Sequence, residues 1–66
     1  METIILSIPN MKNPHCQLAV TRAVEALGGT IKNVEPMKAE IELNDRLTRI
    51  AVIEAIEKAG YKVSNA

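Results

Sequence analysis

Sliding the chain along itself by 32 residues lays residues 19–34 over 51–66, and six of those sixteen positions are identical: Ala19/Ala51, Val20/Val52, Ala23/Ala55, Glu25/Glu57, Gly28/Gly60 and Asn33/Asn65. Val24/Ile56 and Ile31/Val63 match in character. The repeated unit runs from an amphipathic helical stripe through a glycine into an extended piece. A chain of 66 residues that contains such a unit twice has room for one domain, here 1–66, and no second core.

The periodicities on either side of the repeat complete the pattern. Residues 3–8 are β-branched and put Ile4, Leu6 and Ile8 on one face at period two, until Pro9 and Asn10 break the run. Asn13-Pro14 reads as a helix start, because Asn is a preferred N-cap and Pro suits a first helical position that needs no donor. Cys16, Val20, Ala23, Val24 and Leu27 then form a helical stripe that Gly28-Gly29 closes. Extended pieces are expected near 31–35 and 39–43 with a turn near Pro36, and Ala39, Ile41 and Leu43 alternate with Glu40 and Glu42. A second helix is expected from Asn44 or Asp45 to Lys58-Ala59, its core stripe being Val52, Ala55, Ile56 and Ala59. Ile50 and Ile53 lie off that stripe and are expected to be partly exposed, as a contact surface. Gly60 closes this helix, and Tyr61-Lys62-Val63 reads as a last strand. The order β-α-β-β-α-β predicts an α+β, ferredoxin-like sandwich, a four-stranded antiparallel sheet with both helices on one face.

Composition narrows the function classes. Eighteen Ile, Leu and Val residues support a folded core. Eight basic residues against eight acidic ones leave no surplus for neutralising phosphates, and Tyr61 is the single aromatic residue, so nucleic acid is not the expected partner. The longest apolar run, residues 50–53, is far too short to cross a membrane, and with no basic segment followed by an apolar stretch near residue 1 no secretory signal is expected. One cysteine allows no internal disulfide, and the expected compartment is the cytoplasm.

The repeat has one mismatch. Its helices align at an offset of 32, whereas the strand ends Ile8 and Leu43 align at 35, so the first strand-to-helix connection is expected to be about three residues longer. Extra loop length in a symmetric fold is a common place for a site. This loop holds Met11, His15 and Cys16, the last two being the only histidine and cysteine. Thiolate, thioether and imidazole suit Cu(I), or Zn(II). A thiol in a first helical turn also faces free N–H groups, which favours the thiolate form that binds metal.

The stretch Ile8-Pro9-Asn10-Met11-Lys12-Asn13-Pro14-His15-Cys16 resembles the loop of heavy-metal-associated (HMA) domains, the copper chaperones and the metal-binding domains of copper-exporting ATPases. Their pattern reads roughly V-x-G-M-x-C-x-x-C. The resemblance extends through Val20, Ala23 and Leu27 to the ending Ala59-Gly60-Tyr61, where it implies a tyrosine near the metal loop and a Met11 packed beneath it. Two positions depart: Asn10 stands for the usual Gly, and Asn13 stands for the first metal-binding Cys of the MxCxxC motif.

These residues lead to a small metal-binding, chaperone-like protein with a reduced site. Cys16 is the candidate anchor thiolate, and His15 or the Cys16 of a second chain in a homodimer is the candidate further donor for Cu(I) or Zn(II). The resemblance implies a metal-transporting ATPase domain as partner. The alternative is an interaction module of the same fold that has lost metal binding. No enzymatic activity is expected, since adjacent helical residues such as His15 and Cys16 point about 100° apart, poor geometry for a nucleophile and its base.

Overall fold

Alternation produces three strands. β1 (Glu2–Ser7), β2 (Thr30–Glu35) and β3 (Lys38–Leu43) form an antiparallel sheet in the order β1-β3-β2. The computed structural model describes residues 2–65 of the chain. The register sets apolar partners on one face: Ile4 lies opposite Ile41 and Leu6 opposite Ala39, while Ile31 and Val34 meet the same two β3 residues from the other side. An irregularity between Ile31 and Asn33 leaves Lys32 outside the β2–β3 pairing. α1 (Pro14–Ala26) and α2 (Arg49–Lys58) bury Val20 and Val24, and Val52 and Ile56, in one core cluster with Ile4, Leu6, Ala39, Ile41 and Leu43. Ile5, pointing to the other side of the sheet, is half exposed. Both helices therefore cover one face, as expected.

The expected fourth strand is not formed among the described residues. One backbone bond joins the C-terminal segment to the sheet, from Ser64 N–H to the Ser7 carbonyl at 2.8 Å. The next positions on the β1 edge are taken by the Asn65 carboxamide, which accepts from Ser7 N–H at 2.8 Å and donates to the Ile5 carbonyl at 3.0 Å. A side-chain amide thus occupies the edge groups that a paired backbone would use. Val63 is nevertheless buried.

α2 begins later than expected, at Arg49 with Thr48 as N-cap. Neither Asn44 nor Asp45 caps it. The Asn44 side chain accepts from Arg46 N–H at 2.9 Å and donates to the Gly28 carbonyl at 3.0 Å, making a turn that buries Leu47. The stripes are shorter than read, too: Leu27 is the C-cap of α1 and 41% exposed, and Ala59 is exposed. Ile50 is 69% exposed and Ile53 is partly exposed, as expected, Ile53 also packing against the edge of the core cluster.

The late start of α2 also relocates the asymmetry of the repeat. Six residues, 8–13, connect β1 to α1, and five, 44–48, connect β3 to α2, so the loops are nearly equal. The three additional residues belong to α1, which has 13 residues against 10 in α2. At the repeat offset Cys16 falls on Thr48, the N-cap of α2. The first turn of α1, residues 14–16, is therefore the part of this helix that its counterpart lacks.

Candidate functional site

Asn13 and Pro14 fix that extra turn. Asn13 is the N-cap in an extended conformation, its side-chain oxygen accepting from Cys16 N–H at 2.9 Å, with Pro14 at the first helical position. Its carbonyl accepts from Gln17 N–H at 3.0 Å. Upstream, Met11 is fully buried beneath the loop and donates its N–H to the Ile8 carbonyl at 3.0 Å. The loop thus arrives at the helix with a fixed direction, and Cys16 sits half-buried, packed against the core edge as a free thiol. His15, the preceding residue of the same turn, is exposed. The structure therefore gives the two residues different environments and does not gather them into a closed set. Among the described residues no group of three or more His, Cys, Asp or Glu side chains is placed to hold a metal ion.

The residue that the structure does bring to Cys16 is Tyr61. α2 ends with Ala59 as C-cap, and Gly60 follows at φ +102°, in the left-handed region that a residue with a Cβ rarely adopts. Gly60 N–H donates to the Glu57 carbonyl at 3.0 Å and Tyr61 N–H to the Ile56 carbonyl at 3.2 Å, the paired bonds of a Schellman motif. This reversal aims Tyr61 back at the loop. An open groove of about 390 Å³ lies at the end of α2, lined by Glu57, Gly60, Tyr61 and Lys62.

The Cys16 thiol is held below the usual thiol range. The chief cause is a hydrogen bond from the Tyr61 hydroxyl, followed by desolvation, which acts in the opposite direction, and then by hydrogen bonds from the backbone amides of Asn13 and Lys12 and from the Asn13 side chain. Tyr61 moves the other way: the bond with Cys16 raises it first, with desolvation and the negative charge on sulfur adding to the rise. A tyrosine that keeps its proton donates to a cysteine that loses its own. Since the folded thiol titrates below its unfolded value, the thiolate adds stability on the alkaline side, and that contribution is lost as pH falls through the folded pKa. Tyr61→Phe removes the largest lowering influence, so the midpoint of thiolate ultraviolet absorbance should move to higher pH. An unchanged midpoint would refute the pairing.

Comparison with known proteins places this geometry in context. No family model matches the sequence, and no curated protein matches it. Among solved structures the chain is similar to a CopZ metallochaperone at 27% identity and TM-score 0.80, over 94% of this chain and 98% of that one. The copper chaperone Atx1 from Synechocystis, in a trimeric mutant form, matches at 33% identity and TM-score 0.74, over 91% and 97%. Oxidized MerP from Ralstonia metallidurans matches at 25% identity and TM-score 0.79, over 96% and 93%.

Proposed function

The chain belongs to the heavy-metal-associated domain family, and from that premise we propose that it is a small metal-binding, chaperone-like protein whose site is reduced to one thiolate, Cys16. The observation that carries this reading is the environment of the sulfur: half-buried in the first turn of α1 and held toward the thiolate by Tyr61 and the loop amides. A soft anionic sulfur at a partly open surface suits Cu(I), which is satisfied by two donors. Zn(II) requires about four. That count favours Cu(I) as the cargo of a single chain, because no larger donor group is assembled among the described residues. The second donor comes from the exposed His15 or from the Cys16 of a second chain related by two-fold symmetry. In this reading Asn13 stands at the first ligand position of the family and acts as a cap there; its hard carboxamide is a poor donor for Cu(I). No helix of the described residues is long and apolar enough to cross a membrane. The proposed setting is the cytoplasm, with a metal-transporting ATPase domain as partner.

An anaerobic Cu(I) titration against a chromophoric competing chelator tests this, with wild type beside Cys16→Ser and molecular size followed by gel filtration. Wild type should withdraw copper and Cys16→Ser should not, with one metal per two chains if the thiolate is shared. Equal competition by both proteins would remove Cys16 from the site. Failure of both would favour the second reading, a metal-independent interaction module. The hydrogen bond that commits the Asn13 side chain to the helix cap is the observation that supports that alternative.

A further inference from the structure

Met37 is the one non-glycine residue with positive φ among the described residues, at +67°. A residue with a Cβ is disfavoured there, and glycine would adopt the same shape freely. Such a conformation persists where its surroundings enforce it. Here the enforcing contacts come from the site loop. Following Pro36 at the tip of the β2–β3 hairpin, Met37 directs both of its backbone groups at that loop: its N–H donates to the Met11 carbonyl at 2.6 Å, and its carbonyl accepts from Ile8 N–H at 2.9 Å. Between these anchors the Met11 N–H donates to the Ile8 carbonyl, and both side chains are fully buried. Residues 8–11 are thus a closed turn fastened to the hairpin. The next two residues are Lys12, whose N–H donates to the Asn10 carbonyl at 3.1 Å, and Asn13, whose side chain accepts from Cys16 N–H at 2.9 Å. The helical turn that carries Cys16 is therefore capped from a loop that the hairpin tip pins.

We propose that the Pro36-Met37 turn is a latch on the site loop and that Met37 is a positioning residue for Cys16, setting the loop from which Asn13 caps its helical turn. The inference rests on Cys16 being the working group of the site, as proposed above. It predicts that what matters at position 37 is access to the left-handed region rather than the thioether.

Two variants separate these properties. Met37→Val places a β-branched residue where positive φ is most disfavoured, and Met37→Gly keeps the backbone while removing the side chain. Hydrogen exchange, read on the metal-free protein, should show the Lys12 and Cys16 amides exchanging at least about tenfold faster in Met37→Val with the interior of α2 unchanged, and near wild-type rates in Met37→Gly. Cys16-dependent copper affinity should fall about ten- to a hundredfold in Met37→Val and be retained in Met37→Gly, the range seen when supports of metal ligands are lost. A folded Met37→Val with wild-type exchange at these amides overturns the proposal, as does a Met37→Gly as impaired as Met37→Val. If Met37→Val does not fold, native-state exchange of wild type decides: the amides of Ile8, Lys12, Cys16 and Met37 should open as one unit, and independent opening overturns the latch. Absence of copper binding in wild type counts against the metal reading alone, because the exchange result needs no metal.

Discussion

Asn13→Cys is expected to raise Cu(I) affinity by orders of magnitude, the largest functional change that one substitution should produce in this chain. The Asn13 side chain reaches over the first turn of α1, its oxygen 2.9 Å from Cys16 N–H, in the same turn that presents the Cys16 sulfur. A cysteine there would add a second thiolate to the same turn, and two thiolates satisfy Cu(I) within one chain. The substitution also carries a structural cost. Cysteine is a poorer cap than Asn, and losing such a cap destabilises a protein by about 1 kcal/mol. The metal-free variant should therefore melt below wild type, and copper should reverse the deficit because binding to the folded state alone adds stability. Chelator competition and thermal melting with and without Cu(I) check both halves. Unchanged affinity in a folded Asn13→Cys would show that the loop does not present position 13 as a ligand, and would favour the interaction-module reading. Tighter binding accompanied by loss of the two-chain stoichiometry would show the second donor moving from a partner into the chain.

The largest expected loss of stability comes from Ile41→Ala. Ile41 lies on the central strand, fully buried, opposite Ile4 on one side and Ile31 on the other. Truncation there removes transfer free energy and leaves a cavity bounded by two strands that cannot both collapse into it, for roughly 2–5 kcal/mol. At roughly 0.05–0.15 kcal/mol per residue, a domain of this size has only about 3–10 kcal/mol in total. A loss near 4 kcal/mol should lower Tm by roughly 15–30 °C, at about 4–8 °C per kcal/mol for small domains. Ile5→Ala provides the contrast: Ile5 is on the neighbouring strand but half exposed on the open side of the sheet, and its truncation should cost a small fraction of this. Circular dichroism melts of the two variants should differ widely. Similar melting points would mean that the sheet buries its faces differently from the register described here.

Much of the fold was legible because its determinants act over a few residues. Asn13 and Pro14 could be read as the start of α1 because a cap and its recipient N–H are three positions apart. Ile4, Leu6, Ala39, Ile41 and Leu43 could be assigned to one face because strand side chains alternate. The surroundings of the candidate site were legible in part. Cys16 and the buried Met11 lie where the loop pattern put them, and Tyr61 reaches the loop as the resemblance implied. The hairpin tip at Met37 was missed; Pro36 announces a turn, and nothing near it in the chain announces that the turn bonds to Ile8 and Met11.

What the sequence determined by itself, then, is both helices, three of the four expected strands, most of the residues that face the core and the helical turn that carries Cys16, all consequences of contacts between near neighbours. The tertiary structure alone decided where competing polar groups found partners. Asn44 gave up capping α2 for the Gly28 carbonyl at the end of α1, so α2 starts at Arg49 and the asymmetry of the repeat became an extra helical turn around Cys16. Asn65 took the β1 edge, so the fourth strand did not form. In each case a short polar side chain took a partner far along the chain. Such a choice is settled by the position of a backbone group remote in sequence, which no local pattern encodes.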